Sequence, residues 1–332
     1  LSLVGSEMCI RDRSITSANS RRQIAISVDG EVSLCFTGRV RHVWRQRGRQ
    51  QCRTRRRSIV PVRGMSDGLA ALAAQVRADL GKIAHPSQSW LTPIIGPDAR
   101  PALDVLIVGG GQSGLAIAFA LKRSMVTNIL VLDKAEAGRE GPWLTYARMP
   151  TLRSPKEFTG PDLDIPSLTY QSWHEAKFGD QSWRDLDLIP RENWAEYLAW
   201  YRHVLALPVR NGCEVIDISP VADGLLRATV RRGGSEEALY ARKIVLATGQ
   251  EGMGDWSIPE PLRHLPVTRC VNCADMIDFD ALRGKRVAVI GAGASAFDNA
   301  AMALEAGAEA VHLLCRRAEI QLVQPLSLIH IS

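Results

Sequence analysis

The chain has 332 residues, with 41 Lys and Arg against 35 Asp and Glu, and its net charge of +6 would on its face suit nucleic acid or a membrane surface. That charge is confined to the front: residues 1–64 hold 14 Arg, no Lys and 4 acidic residues, which leaves 27 basic against 31 acidic groups in the rest. The remainder is mildly acidic, which argues against a nucleic-acid partner, and no apolar run approaches the ~20 residues that span a bilayer.

The two ends are set aside from fold reasoning. The string Leu3 to Arg13 back-translates to DNA whose core is the reverse complement of a string encoding Leu326 to Ser332, and both resemble a transposase-based sequencing-library adapter read in frame. Residues 1–13 and 326–332 are therefore expected to be adapter-derived. Residues 14–64, with their Arg-rich run from Arg39 to Arg63, read as untranslated or disordered. Met65-Ser-Asp-Gly is the expected start, and the chain is expected to stop near residue 325 inside an unfinished domain.

Ser66 to Ala84 carries Leu69, Leu72, Ala73, Val76, Leu80 and Ile83 at the spacing of an amphipathic helix, and Pro86, Pro93, Pro97 and Pro101 then enforce an extended lead-in, giving an N-terminal segment 65–100. Val105 to Val108 is an unalternating apolar run, as expected of a central parallel strand covered on both faces. After the glycines at 109–111, Leu115 to Arg123 reads as a helix and Asn128 to Asp133 as the next strand. Residues 141–190 are rich in Pro, Trp and polar groups without a period, and read as a largely irregular excursion too long to be an ordinary loop. Glu192 to Leu205 reads as a helix with Trp194, Tyr197, Leu198, Tyr201 and Leu205 on one face, closing an insert over 141–207. Strands follow over Glu214 to Ile218, Leu225 to Arg231 and Ala238 to Leu246. A second strand–helix–strand unit starts at Arg286, with a helix from Ser295 to Ala306 and a strand from Ala310 to Cys315.

Both units open on a glycine-rich turn. Such a turn uses a first glycine for the tight bend, a second so that backbone can approach a pyrophosphate, and a third for close packing of helix on strand. Gly109, Gly111 and Gly114 fill those places in Gly109-Gly-Gly-Gln112-Ser113-Gly114, and Asp133, 24 residues after Gly109, stands where a carboxylate would take the ribose hydroxyls. The second turn, Gly291-Ala-Gly293-Ala294-Ser295-Ala296, puts Ala296 at the third place. Its following strand ends in Arg316-Arg317 rather than an acid, which favours a 2′-phosphate and hence NADPH. With NADPH in the second site, the first is expected to hold FAD. The fold class implied is α/β, with two Rossmann-like dinucleotide-binding domains on parallel sheets and a small antiparallel β segment: an FAD-binding domain over 101–250 and the start of an NADPH-binding domain over 251–325.

The order of first glycine turn, Gly141-Pro-Trp143, Ala247-Thr248-Gly249 and second glycine turn resembles the class B flavoprotein monooxygenases, the flavin-containing and N-hydroxylating group. The segment Glu140 to Pro150 is similar to the stretch around the Gly-Gly-Thr-Trp of that family, with Trp143, Arg148 and Pro150 matching. The resemblance covers residues 103–317. It implies FAD on Gly109 to Gly114, Asp133 and Lys134, with Trp143 and Arg148 beside it and Thr248-Gly249 closing over it. It also implies NADPH on Gly291 to Ala296 and Arg316-Arg317, and oxygen activated as a peroxide on the reduced flavin to attack a small-molecule substrate. The Phe-x-Gly and His of the Baeyer–Villiger members are not found around Leu262 to Asp275, so that reaction is not implied. No catalytic side chain and no metal site are assigned. Arg148 and Arg153 are candidate contacts for a cofactor phosphate or a substrate carboxylate.

Two other readings stand beside this one. Cys270-Val-Asn-Cys273 lies 18 residues ahead of Gly291, near where thioredoxin-reductase-like flavoproteins carry a redox dithiol. A non-catalytic NADPH- or flavin-binding regulator is the third. Past residue 64 only Cys213, Cys270, Cys273 and Cys315 occur, too few for a disulfide framework, so a cytoplasmic setting is expected.

Overall fold

The computed structural model describes the backbone of 24–28 and residues 67–158, 160–249, 252, 254 and 258–316. In chain order the elements are β1 (Ile24–Val28), α1 (Asp67–Lys82), β2 (Leu103–Val108), α2 (Gln112–Arg123), β3 (Ile129–Leu132), α3 (Tyr170–Phe178), α4 (Asp180–Asp185), α5 (Arg191–Val204), β4 (Val209–Arg210), β5 (Glu214–Pro220), β6 (Leu226–Arg232), β7 (Ser235–Leu246), β8 (Cys270–Asn272), β9 (Arg286–Ile290), α6 (Ala294–Glu305) and β10 (Ala310–Leu314). They fall into two compact units, one holding most of the described residues from 67 to 254 together with 274–278, the other holding 258–273 and 279–316 with β1.

The larger unit is built on a six-stranded sheet in the order β4-β3-β2-β7-β6-β5. Strands β4, β3, β2 and β7 run parallel, with Val105 opposite Ile129 and Lys243, while β5, β6 and β7 form an antiparallel meander. Strand β7 does both jobs: its last residues pair with β2 and its first with β6. Side chains of successive strand residues point to opposite faces, and β2 uses both. Val105 and Ile107 join Leu115, Ala118 and Phe119 of α2 and the aromatic residues of the insert, whereas Leu106 meets Ala228, Val230 and Ala241 of the meander. Burying Ile107 and Leu106 completely contributes about 1.5–3 kcal/mol each relative to exposure.

The insert is where the structure departs most from expectation. Residues 141–190 contain α3 and α4 rather than irregular chain throughout. Thr169 caps α3, its hydroxyl accepting from the Ser172 amide, and Tyr170, Trp173 and His174 at i, i+3 and i+4 form its buried face. Gly179, at φ +89°, ends α3 and starts α4, so neither helix is long enough to show a full period in the sequence. Trp173, Trp183, Trp194 and Trp200 are all core residues, packed around Tyr170 and Tyr197 at ring separations of 5.2–6.3 Å for the pairs that touch.

In the smaller unit β9 and β10 are parallel, joined through α6. Its sheet runs β10-β9-β1-β8, with β1 antiparallel to both neighbours. Five residues of the stretch expected to lack structure thus pair as a strand, and the second sheet is mixed rather than all parallel. The alternation of Ile24, Ile26 and Val28 with small residues is the local pattern of a strand.

Candidate functional site

The first glycine turn joins β2 to α2. Gly109 takes φ +110°, and a Cβ there would lie 2.2 Å from the Ala247 carbonyl oxygen, so glycine is required both by the backbone and by β7 alongside. Gly114, inside the first turn of α2, would put a Cβ 1.8 Å from the Gly109 carbonyl oxygen. Helix and strand can approach this closely only without a side chain at that point. Gly111 is different: no atom lies closer than 3.9 Å to its added Cβ, the nearest being Cα of Gly141. Open space on the middle glycine, between two sterically closed ones, is what a group lying across the turn requires.

Gly111 is the N-cap of α2, in an extended conformation and without a side-chain cap, so the amides of Gln112 and Ser113 at the helix start are offered to whatever sits there. Asp133 follows β3, is 8% exposed, and accepts from the Gly110 amide at 2.7 Å through Oδ2 and from the Ala135 amide at 2.7 Å through Oδ1. Each carboxylate oxygen keeps further acceptor capacity. Lys134 beside it is exposed. Ala247-Thr248-Gly249 runs off the end of β7, with the Ala247 amide donating to Val108 at 2.8 Å, and Thr248 and Gly249 are exposed next to the turn.

Trp143 is buried and meets Trp194 edge-on at 6.2 Å. The same loop brings Gly141, at φ +71°, against Gly111. Arg148 has a duty the sequence reading did not foresee: Nη1 donates to the Thr145 carbonyl at 2.5 Å and Nη2 to the Asp275 carbonyl at 2.7 Å. It braces backbone, and two of its donors are thereby committed away from a phosphate or carboxylate. Arg153 is exposed.

In the smaller unit Gly291 at φ +140° repeats the tight bend, Gly293 is the uncapped, extended N-cap of α6, and Ala294 and Ser295 open the helix at the surface. Ala296 is fully buried, taking the close-packing place of a third glycine. Arg316 is exposed just past β10, and Arg317 lies outside the described residues. The first turn with its helix start therefore has the form a dinucleotide pyrophosphate needs, and the second repeats its tight bend and uncapped helix start.

The CxxC pair is placed less favourably for redox work. Cys270 stands on β8, is 1% exposed, and burial pushes its thiol pKa up. A nucleophilic thiol needs the opposite shift. Among the described residues no helix is long and apolar enough to cross a membrane. Sequence reasoning also missed a polar cluster beside the first turn, made of Glu140, Arg202 and Asn211.

A family model described as pyridine nucleotide-disulphide oxidoreductase matches residues 106–331. The chain is 47% identical over 260 residues to an FAD-dependent urate hydroxylase of Xanthomonas campestris pv. campestris, a match that covers 78% of this chain and 54% of that protein. Among solved structures it resembles a mutant flavin monooxygenase from Stenotrophomonas maltophilia, at TM-score 0.50 and 25% identity over 67% of this chain and 60% of the other. An FAD-bound cadaverine monooxygenase from Erwinia amylovora matches at TM-score 0.52 and 17% identity over 69% and 54%, a likeness of fold. The chain spans about half the length of the curated relative it matches.

Proposed function

The chain belongs to the pyridine nucleotide-disulphide oxidoreductase family, and from that premise we propose that it is the nucleotide-binding part of an FAD-dependent monooxygenase that draws hydride from NADPH and hydroxylates a small molecule. The observation that carries the reading is the first glycine turn, closed at Gly109 and Gly114 and open at Gly111, with Asp133 tied to it. The identity to a urate hydroxylase makes a purine such as urate the substrate class to try first.

On this reading, bound FAD would supply a two-electron carrier between NADPH and oxygen. The protein's part is positioning. Gly111 and the amides of Gln112 and Ser113 hold the pyrophosphate, and Asp133 holds the ribose, with Lys134 beside it. Thr248-Gly249 would close over the bound group, and buried Trp143 would help keep water from it. Arg148 acts on the site through the loop it braces. Gly291, Gly293, Ala294, Ser295 and Ala296 hold the second pyrophosphate, and Arg316 with Arg317 selects the 2′-phosphate of NADPH. The cysteine count suits a cytoplasmic enzyme.

The buried, pKa-raised Cys270 weighs against the dithiol alternative. The test is NADPH-driven turnover under ¹⁸O₂ with urate and related purines, using protein reconstituted with FAD. Labelled oxygen in the product supports the reading. Flavin-bound protein that oxidises NADPH with any of these substrates and never incorporates the label contradicts it.

A further inference from the structure

We propose that Glu140, clasped by Arg202 and Asn211, is a positioning residue that sets how closely the 138–143 loop lies against the first glycine turn. The proposal rests on the FAD reading above for its consequence, and on geometry alone for the clasp itself.

Glu140 carries a carboxylate whose side chain is only 13% exposed, and Gly138, Arg202 and Asn211 all donate to it. Its Oε1 accepts from Arg202 Nη1 at 2.8 Å and from Asn211 Nδ2 at 2.7 Å, and its Oε2 accepts from the Gly138 amide at 2.8 Å. Arg202 and Asn211 are themselves fixed. Arg202 donates through Nη1 to Asn211 Oδ1 at 2.9 Å and through Nη2 to the Val209 carbonyl at 3.0 Å, while Asn211 Nδ2 also reaches the Ala135 carbonyl at 3.1 Å. Two neighbouring segments far from it in sequence, the last turn of α5 and the turn after β4, meet the loop that leaves Asp133 on one carboxylate.

The clasp sits next to the point where it matters. Gly141 follows Glu140 directly, and its Cα is the nearest atom to the open face of Gly111. On the far side the Thr145 hydroxyl donates to the Gly141 carbonyl at 2.7 Å, and Trp143 lies two residues on, buried against Trp194. Gly141 is therefore held from both sides while facing the glycine a pyrophosphate must cross. Without Glu140 the loop keeps its Thr145 anchor but loses the anchor on the Asp133 side. A partly buried guanidinium left without its carboxylate then drives the segment to rearrange. The expected consequence is a site that still folds but closes loosely, since small misplacements at a site cost affinity out of proportion to the contact removed.

The experiment compares the chain with E140A, R202A and the double variant. Three readings are taken: the FAD dissociation constant after reconstitution, the visible circular dichroism of bound FAD, and amide hydrogen exchange of residues 134–146 in the flavin-free protein. Each single variant is expected to weaken FAD binding about tenfold, to alter the flavin dichroism in the same way, and to speed exchange in the loop, while the double variant is no worse than about threefold beyond either single. FAD affinity within about twofold of wild type in E140A, or losses in the two singles that simply multiply in the double, would overturn the proposal. Wild-type protein that takes up no FAD would sink the FAD reading, and the exchange data then decide the clasp by themselves: loop exchange unchanged in E140A and R202A refutes it.

Discussion

The Gly110 amide donates to the Asp133 carboxylate at 2.7 Å, so the residue proposed to hold a ribose also fastens the turn proposed to hold a pyrophosphate. Asp133 takes a second amide, from Ala135, on its other oxygen. Asp133→Ala removes both. Hydrogen bonds to a charged group are worth about 1.5–3 kcal/mol each, so the variant should lose several degrees in its thermal midpoint as well as FAD affinity. Asp133→Asn, which keeps one acceptor, should fall between. Calorimetry of the two variants with and without FAD checks the order, and an Asp133→Ala protein as stable as wild type would refute the double role.

Gly111 and Gly114 of the first turn should separate by what they do. Gly114→Ala forces a methyl to within 1.8 Å of the Gly109 carbonyl oxygen, so α2 must move off β2 at a cost of about 3 kcal/mol or more, seen as a lower midpoint or insolubility. Gly111→Ala meets nothing nearer than 3.9 Å and should keep the wild-type midpoint within about 2 °C while binding FAD at least tenfold more weakly. Normal FAD binding by Gly111→Ala would mean that the pyrophosphate does not cross this face.

Buried His174 should give the protein an acid-sensitive step. Its ring nitrogens contact the Tyr170 hydroxyl at 3.3 Å and Ser182 Oγ at 3.0 Å, and burial lowers its pKa below the ordinary 6.5, with Lys156 and Lys177 pushing the same way and the Ser182 hydrogen bond and Glu175 against. A depressed folded value means that the unfolded chain takes up the proton first. The contribution to stability is therefore full above pH 6.5 and is lost as pH falls below it. Midpoints measured from pH 7.5 to 5 should drop more steeply for wild type than for His174→Gln, and parallel curves would show that the ring does not titrate as described.

On the proposed NADPH reading, exposed Arg316 is the residue that would discriminate between the two nicotinamide cofactors. Arg316→Ala should raise KM for NADPH about tenfold or more and leave NADH kinetics unchanged, because only the 2′-phosphate loses a partner. Equal effects on both cofactors would assign Arg316 to the common part of the dinucleotide or to the fold.

The parts of this molecule that were legible in the sequence are those whose signal is local. Strands β2 and β9 are short apolar runs, both glycine turns are contiguous, and α5 shows its buried face directly because Trp194, Tyr197, Leu198 and Tyr201 are 3–4 residues apart. Helix α2 begins at Gln112 rather than Leu115 because the glycine turn itself supplies the N-cap, which periodicity does not register. Helices α3 and α4 were hidden by the break at Gly179. The Glu140 clasp was out of reach for a different reason: its partners lie 62 and 71 residues away, and nothing in the identity of one carboxylate says which arginine and which asparagine the fold will bring to it. The bracing role of Arg148 was out of reach likewise, since its donors to the Thr145 and Asp275 carbonyls depend on which backbone the fold brings beside it.

The most direct test is an anaerobic titration of the FAD-reconstituted protein with NADPH, counting electrons per flavin before oxygen is admitted. Two electrons per flavin are expected, with an end point unmoved by Cys270→Ser or Cys273→Ser and reoxidation by oxygen. Four electrons per flavin, with the extra pair lost in either cysteine variant, would contradict it and make the protein a dithiol reductase.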